Sequence, residues 1–494
     1  MSRYADWKAP PRDGEHLLWP TASRLLDETN RNAAALASAN TPVQNADLSH
    51  LRAELRAAVT GDAGRPIVAT GHQIEMYHPG VWAKNVLIEA AAARMGGVAL
   101  HVAVDTDSPK HLELRWPAGK MPITDDPAVY DGAWSALVGA PTSVHTELAR
   151  TTFNDAAGRW PFAPTAGPFF DALAAQGGKP LPAALLAATG ALDRALGLGR
   201  RMTIVLSDLI ATPAYNAFAH HIGASAARFA DAYNAALAAY RVANKVKAPS
   251  RPMPDLLATP DRVELPFWLD DLAAGTRGRA FAVRRGGAWT LECEAPFDFD
   301  ESAGAHVAAA ALAEHLAGAR MRLSPRALTL TMFVRLLLVD QFVHGIGGGR
   351  YDQVCDSVIE RFFRMPVPTF SVTTATLYFP TAGQRGDVCV PCIKSEGHAL
   401  RHAVLGAAKR PHLAAIEAAP RRSPARRAAY VAMHQTLAVA YTRSSDVPAW
   451  RERLHRAVAQ DQADAQVFDR ELFYGIQPCE RLTAMIEQYR IALA

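Results

Sequence analysis

A strand–helix–strand pattern in the first quarter of the chain limits the possible folds more than any other part of the sequence. Residues 67–70 form a short, largely β-branched run that is typical of a buried strand. A helix is predicted from Val81 to Met95, because Pro79 suits a first helical turn and Gly96 suits a left-handed helix end. Residues 98–104 are apolar and predict a second strand. This order predicts parallel strands joined by a helix, and therefore an α/β fold.

Polar side chains follow the predicted strands, at the point where each strand ends. In an open parallel sheet, ligands bind beyond the carboxyl ends of the strands. A third parallel strand is predicted at 202–206, followed by a helix that opens at Thr212-Pro213 and continues to about Tyr240. The residues expected at the three strand ends are Gly71, His72, Gln73, Asp105, Asp107, Ser207 and Asp208.

These side chains allow more than one chemistry. Two carboxylates two residues apart can bind a metal ion, sugar hydroxyls or an amine. His72 can act as a general base or donate to a developing negative charge. The structural alternative is that Asp105 and Asp107 cap a turn and that His72 is an ordinary loop residue. Because polar residues follow three separate strands, we expect a binding site at this edge.

Composition excludes several classes of protein. The chain has 494 residues, 49% of them hydrophobic and 20% charged, as in a globular protein of two or three domains. A net charge of +4 is too small to indicate nucleic-acid binding. The N-terminal residues lack the apolar core of a signal peptide, and the uncharged windows 209–227 and 365–384 are too polar for membrane spans. Five cysteines without framework spacing indicate a reducing compartment, so we expect a cytoplasmic protein.

Changes of pattern divide the chain into five segments. A Pro-rich loop near residue 250 is followed by predicted strands at 262–269 and 280–293, the second interrupted at Gly286-Gly287. The expected segments are a helical lead-in (1–60), the first part of a parallel α/β core (61–244), a small β-rich insertion (245–302), the second part of the core (303–397) and a helical C-terminal region (398–494).

A glycine run lies between an apolar segment and a helix predicted from Tyr351 to Phe363. Glycines before a helix let backbone N–H groups approach phosphate oxygens, and Arg350 would add positive charge. The spacing matches neither the dinucleotide fingerprint nor a P-loop. The alternative is close packing or a tight turn. The residues expected at this phosphate loop are Gly345, Gly347, Gly348, Gly349 and Arg350.

A third cluster combines Cys389-Val390-Pro391-Cys392 with His398 and His402. Such ligands can close a tetrahedral zinc site, but the gap between the cysteines and the histidines is short. We therefore expect two reduced thiols and two surface histidines, and no metal. Residues 398–430 carry seven Lys or Arg against one Glu. This bias indicates a solvated helical face, or in the alternative a site for an acidic ligand or nucleotide.

Two blocks of motifs resemble one enzyme family. The first is the Thr70-Gly71-His72-Gln73 turn, the Pro79-Gly80 helix start with Lys84, and the acidic strand end Asp105-Thr106-Asp107. The second is Leu323-Ser324-Pro325-Arg326 with Gly347-Gly348-Gly349. Together they resemble BshC, the cysteine ligase family of bacillithiol synthesis, over residues 60–375. The chain departs from the family in having His72 for a glutamine, a shortened acidic cluster, and Gly349 for a proline.

The resemblance implies a Rossmann-like core, similar to that of nucleotidyltransferases and class I aminoacyl-tRNA synthetases, with a helical region that forms a homodimer. It also implies a reaction that joins the carboxyl group of cysteine to the amine of glucosaminyl malate, with ATP or ADP as cofactor. The alternative is a non-catalytic sugar- or nucleotide-binding protein on the same scaffold. We expect a small-molecule substrate, and neither nucleic acid nor membrane as a partner.

Residue roles follow from this interpretation. We expect the strand ends to bind the substrate together with His78, and the glycine run to bind the cofactor. The expected catalytic residues are His72, Lys84, Asp105 and Asp107, and the expected substrate-binding residues are Gly71, Gln73, His78, Ser207 and Asp208.

Overall fold

A computed structural model describes residues 7–107, 111–126, 143–381, 383 and 388–494. The strands are β1 (His16–Trp19), β2 (Pro42–Val43), β3 (Ala46–Asp47), β4 (Ile67–Gln73), β5 (Val98–Val104), β6 (Glu113–Trp116), β7 (Gly119–Pro122), β8 (Met202–Val205), β9 (Arg262–Asp271), β10 (Thr276–Arg285), β11 (Ala288–Leu291), β12 (Phe297–Phe299), β13 (Met321–Pro325), β14 (Gln341–His344) and β15 (Phe370–Ala375).

The helices alternate with these strands in the first three quarters of the chain and dominate the last quarter. They are α1 (Ala22–Ala37), α2 (Leu48–Thr60), α3 (Pro79–Met95), α4 (Thr146–Ala157), α5 (Gly167–Ala174), α6 (Leu181–Ala195), α7 (Leu206–Leu209), α8 (Pro213–Ala224), α9 (Ala226–Ala243), α10 (Ala305–Gly318), α11 (Ala327–Leu337), α12 (Ile346–Val358), α13 (Val390–Ala403), α14 (Arg410–Ala418), α15 (Pro424–Arg443), α16 (Asp446–Val467) and α17 (Cys479–Leu493).

The main sheet has six strands in the order β1-β15-β14-β4-β5-β8. Strands β15, β14, β4, β5 and β8 pair in parallel, and β1 pairs antiparallel with β15 at one edge. The central strands are apolar and buried, as expected for a parallel sheet covered on both faces. The predicted mixed α/β fold with a mostly parallel sheet is therefore confirmed.

The unit β4–α3–β5 forms in the predicted order, but β4 continues to Gln73, so Gly71, His72 and Gln73 extend the strand beyond its predicted end at residue 70. Helix α3 begins at Pro79, two residues before the predicted start, because the His78 side chain caps it by accepting the Gly80 N–H at 3.1 Å. It ends at Gly96, which has the left-handed φ of +63°. Residues on nearly every face of α3 are buried, so the helix lies within the core.

A second sheet is antiparallel, in the order β12-β11-β10-β9-β13. The predicted strands and the turn at Gly286-Gly287 are present as β9, β10 and β11. Strand β13 pairs with β9 through Leu323 opposite Leu269, although it lies beyond the segment 245–302 that was expected to hold the β-rich insertion. The Leu323–Arg326 motif therefore closes the antiparallel sheet before the chain returns to the parallel one.

Three further predicted element boundaries are wrong. The helix expected up to Tyr240 is two helices, α8 and α9, which meet at Ser225. The strand expected at 202–206 ends at Val205, and Ser207 and Asp208 lie on the helical turn α7. Helix α12 begins at Ile346 instead of Tyr351, so it includes the glycines that were expected to form a loop. Glycine has weak helix propensity, and tertiary packing overrides that tendency here.

The chain forms two compact units. The first comprises Met1–Arg115, Gly119–Pro380 and Arg470–Ala494, and it contains both sheets. Helix α17 belongs to this unit and packs against α3. The second unit comprises Trp116–Ala118 and Thr381–Asp469, and its helices are α13 to α16. Within the described ranges, no helix is both long enough and apolar enough to cross a membrane.

Candidate functional site

Strand register brings the predicted motif residues to one edge of the parallel sheet. Strand β4 lies between β5 and β14, with His72 opposite Ala103 and Thr70 opposite Val343. The chain leaves β4 and β5 at the same edge, so Gly71, His72 and Gln73, the last residues of β4, lie beside the end of β5 and Asp105. This is the edge at which parallel sheets bind ligands.

His72 contacts a buried carboxylate. Its Nδ1 atom lies 3.4 Å from Glu75 Oε1 and 3.1 Å from the Gln73 carbonyl oxygen. The His72 side chain is 26% exposed, whereas that of Glu75 is 1% exposed. The imidazole is therefore within reach of a ligand at the sheet edge, with an acidic group behind it. This arrangement suits a general base, because a carboxylate orients the ring and stabilises its protonated form.

Glu75 also contacts a second histidine. The His111 Nδ1 atom lies 3.1 Å from Glu75 Oε1, and the His111 backbone N–H donates to Oε2 at 3.2 Å. The hydrogen bond with Glu75 raises the pKa of His111 above its ordinary value, against the opposing effect of burial. Neither Glu75 nor His111 was predicted from the sequence. The available signal was an acidic residue inside the buried run Ile74–Tyr77, where a charge needs a partner.

Lys84 is buried close to these groups. Its side chain projects from α3, and its Nζ atom donates to the Gly71 carbonyl oxygen at 3.0 Å. The residue is 4% exposed, and burial lowers its pKa to about 7, with the Glu75 carboxylate opposing the shift. An amine with this pKa exchanges a proton readily at neutral pH. The structure thus brings the predicted Lys84 and His72 to the same end of β4.

His78 has a structural position at the start of α3. Its Nδ1 atom accepts the Gly80 N–H, so that nitrogen is not free for a substrate. Burial, reinforced by the positive charge of Arg470, lowers the pKa of His78 to about 3. His78 is therefore neutral at physiological pH, and its ring lies 6.3 Å from that of His111.

The two aspartates of β5 have different partners. Asp105 is buried and accepts hydrogen bonds from the backbone N–H of Ser207, at 2.9 Å, and from the Ser207 hydroxyl. Burial raises the pKa of Asp105. Asp107 is 55% exposed and accepts a hydrogen bond from Gln73 Nε2 at 2.6 Å. Asp105 therefore joins β5 to α7, whereas Asp107 faces solvent at the site; the exposed Asp208 lies on α7.

An arginine from the antiparallel sheet completes this part of the site. Arg277 Nη1 lies 3.8 Å from Asp107 Oδ1, and its Nη2 donates to the Thr106 carbonyl oxygen at 2.5 Å. Its Nε donates to the fully buried Asp270 at 2.6 Å. Arg277 lies far from the strand-end motifs in sequence, and no local pattern marks it. The tertiary fold, rather than any local sequence signal, places Arg277 at the end of β5.

A cavity of about 320 Å³ borders the site beside His111. Its volume suits a small polar molecule or part of a larger one. Apolar and charged side chains both line it, so it could hold a ligand with an apolar stem and a polar group. The lining residues are Met76, His111, Leu112, Glu113, Arg115, Glu471 and Phe473.

The glycine run lies in the first turn of α12, which corrects the prediction that these glycines form a loop. A Cβ atom on Gly349 would lie 2.5 Å from Val372 Cγ2, and one on Gly348 would lie 2.8 Å from His344 Nδ1. These two glycines let α12 pack closely on the sheet. Gly345 precedes the helix with a φ of −78°, and Gly347 faces open space.

Arg350 points away from the site expected for it. Its Nη2 donates to the Trp7 carbonyl oxygen at 2.5 Å, which ties α12 to the N-terminal segment. His344, at the end of β14, contacts Asp352 at 2.9 Å, and Asp352 also binds the buried Arg335. Burial alone would raise the pKa of Asp352, but Arg335 and His344 hold it well below its ordinary value. This buried network was not predicted from the sequence.

Cys389 and Cys392 form a disulfide, which corrects the expectation of two reduced thiols. The imidazole rings of His398 and His402 lie 4.6 Å apart on α13. No group of three or more metal-ligating side chains occurs within the described ranges of the chain.

Comparisons with known proteins identify no family for this chain. No protein-family model matches the sequence, and no curated protein matches it.

Proposed function

We propose that this protein is an enzyme that joins a carboxylate to an amine, in a reaction similar to that of the cysteine ligases its motifs resemble. The observation that carries the proposal is an acid–base cluster at the carboxyl edge of the sheet. Glu75 contacts His72 and His111, and Lys84, whose pKa is about 7, donates a hydrogen bond to the Gly71 carbonyl oxygen at the end of β4. Groups with perturbed proton affinity concentrate at catalytic sites.

The proposed chemistry assigns each group a task. The carboxylate would be activated by ATP, so that its C–O bond to phosphate or AMP breaks as the C–N bond forms. The attacking amine must also lose a proton, and the partly exposed His72 accepts that proton. Glu75 stabilises the resulting imidazolium through their 3.4 Å contact. Lys84 supplies an adjustable positive charge beside the Gly71 carbonyl. When protonated, Lys84 favours negative charge that develops on the acyl oxygen.

Two further groups are proposed to bind the substrates. Asp107, exposed and held by Gln73, pairs with an ammonium group or with sugar hydroxyls. Arg277, whose guanidinium lies 3.8 Å from Asp107, limits how much negative charge the site presents. The cavity beside His111 holds the carboxylate substrate, such as cysteine, in this proposal.

The parallel core is proposed to be Rossmann-like, and ATP or ADP is the activating cofactor that the family resemblance implies. The glycine run does not fit a phosphate cradle, because packing uses Gly348 and Gly349 and Arg350 points elsewhere. We therefore assign none of these residues to binding the nucleotide. The homodimer and the cytoplasmic location belong to the same proposal.

The direct test is amide formation by the purified protein. We would incubate it with cysteine, glucosaminyl malate and ATP, and detect the condensed product by mass spectrometry. A strain that lacks the gene should lose a thiol and accumulate the amine. Replacing His72 with Asn removes the proton acceptor and should lower kcat much more than it raises KM.

The matched control is Lys179→Met, which replaces an exposed lysine. Lys84→Met should lower turnover and alter its pH profile, whereas Lys179→Met should leave both unchanged. If amines and carboxylates bind but no variant or condition gives product, the ligase proposal is wrong. The non-catalytic binding protein is then the better description.

A further inference from the structure

The second compact unit contains a pair of bonded, exposed cysteines. Cys389 and Cys392 are three positions apart, and both are exposed. Cys389 is the residue that precedes α13, and Cys392 lies in its first turn. The proposed ligase chemistry uses neither sulfur atom. Any role of this pair is therefore independent of the proposed function.

A purely stabilising bond is a poor explanation for this pair. A disulfide stabilises a fold mainly by closing a loop in the unfolded chain, and a separation of three residues closes a very short loop. Other interactions also stabilise the start of α13. Pro391 occupies its first turn, and Trp450 Nε1 donates to the Ile393 carbonyl oxygen at 2.8 Å. A Cβ on Gly397 would lie 2.1 Å from the Trp450 ring, which shows how closely Trp450 packs on the helix.

The surroundings favour a thiolate at Cys389. Its Sγ atom accepts the backbone N–H of Cys392 at 3.2 Å, at the positive end of a helix of 14 residues. The positive end of a helix lowers the pKa of a thiol, because it stabilises negative charge on sulfur. A thiolate of low pKa is also the better leaving group in thiol–disulfide exchange. The Cys389–Cys392 bond is thus arranged to open with Cys389 leaving.

We propose that Cys389 and Cys392 are a reversible dithiol–disulfide pair that exchanges with low-molecular-weight thiols and disulfides. A small thiolate attacks Cys392 Sγ, forms a mixed disulfide and breaks the Cys389–Cys392 bond, whose electron pair leaves on Cys389. A second small thiolate attacks the small-molecule sulfur of the mixed disulfide and releases Cys392 as thiolate. Two small thiols become one small disulfide, and their two protons are available to the protein thiols. The reverse reaction reduces a small disulfide.

Thiol counting across a series of glutathione redox buffers tests the proposal on the full chain. Each sample is quenched in acid, denatured and labelled with a maleimide, and the labels are counted by mass spectrometry. The chain has five cysteines, and Cys293, Cys355 and Cys479 are outside the disulfide. We expect three labels in oxidised glutathione and five in reduced glutathione, with one reversible transition between them.

Two results would overturn the proposal. Three labels at every glutathione ratio would make the bond a fixed structural one, and five labels in excess oxidised glutathione would mean that the pair does not form it. Cys479→Ser, which removes an exposed free cysteine, should keep the transition with one label fewer in each state.

Single variants identify the thiol of lower pKa. In Cys392→Ser, the alkylation rate of Cys389 should rise with pH around a midpoint below the ordinary thiol pKa of about 8.5. In Cys389→Ser, the midpoint for Cys392 should be higher than that for Cys389. Equal midpoints would contradict the assigned direction of attack. Circular dichroism would establish that both variants keep their helices, and the wild-type transition remains an independent measure.

Discussion

At the residue scale, the burial of Lys84 has a measurable effect on stability. Its pKa is 10.5 when solvated and about 7 in the folded chain. Below pH 7 both states carry the proton, and the folded state bears the full cost of a buried charge. Between pH 7 and 10.5 only the unfolded state holds the proton, so the cost falls as pH rises. Lys84→Met should therefore stabilise the protein more at pH 7 than at pH 10, by on the order of 3 kcal/mol.

Urea unfolding at several pH values would measure this difference. Lys179→Met is again the control, because an exposed lysine should give no such pH dependence. If Lys84→Met raises the free energy of unfolding by the same amount at pH 7 and pH 10, Lys84 is protonated in the folded protein across that range.

The two aspartates at the end of β5 should respond differently to the loss of charge. Asp105→Asn leaves the Ser207 hydroxyl or backbone N–H poorly paired in a buried site, which should lower the free energy of unfolding by about 1–3 kcal/mol. Asp107→Asn keeps an oxygen acceptor for Gln73 in an exposed position, so stability should be nearly unchanged while turnover falls. Thermal unfolding and product assays on both variants would measure this. Loss of folding in Asp107→Asn would make that residue structural.

At the element scale, adding a methyl group at two different glycines of α12 should have opposite effects on the stability of the protein. A Cβ on Gly349 would lie 2.5 Å from Val372 Cγ2 on β15, so Gly349→Ala should force α12 away from the sheet and destabilise the protein by about 1–3 kcal/mol. Gly347 faces open space within the same helix. Gly347→Ala should therefore stabilise by a few tenths to about 1 kcal/mol, through helix propensity and a less flexible unfolded chain.

Chemical denaturation of both glycine variants tests this contrast. Equal destabilisation by both would indicate that the whole run approaches another group closely. The contrast also explains why these glycines were predicted to form a loop. Repeated glycines signal either close approach to a ligand or close approach to another element, and the sequence contains nothing that separates the two.

At the scale of the whole molecule, the strands of the first unit bury more of their residues than the helices of the second unit do. In the first unit, every residue of β15 is buried, and so are Ile67–Thr70 of β4. In the second unit, α14 has no buried residue, and α15 buries Met433 and Leu437. Segments with few buried apolar contacts open at a lower free energy than core strands do.

Hydrogen exchange should therefore separate the units. Amides of α13 to α16 should exchange by local opening, well before those of β4, β5 and β15. Mass spectrometry of peptic fragments would resolve the difference. Uniform protection across both groups would mean that the chain unfolds as one cooperative body.

Much of the fold and part of the site could be predicted from local patterns. The strands β4 and β5, helix α3 and the hairpin of β10 and β11 were predicted because apolar spacing, Pro79, Gly96 and Gly286-Gly287 act within a few residues. His72 at the end of β4 and Lys84 on α3 were placed for the same reason, since both belong to that local unit, although the turn expected at His72 is the last part of the strand. The break at Ser225 and the start of α12 were missed, because helix ends without a strong cap depend on what packs against them.

Local sequence signals were sufficient for the unit β4–α3–β5 and for the polar character of its strand ends. Long-range packing was needed to join β14 and β15 to β4, to join β13 to β9, and to place Glu75 between two histidines. It also brought Arg277 to Asp107 and packed Gly348 and Gly349 closely against other elements, where a loop was predicted. The physical reason is that capping and periodicity are local, whereas most of these pairings join residues far apart in the chain. Those partners become neighbours only when the whole core has formed.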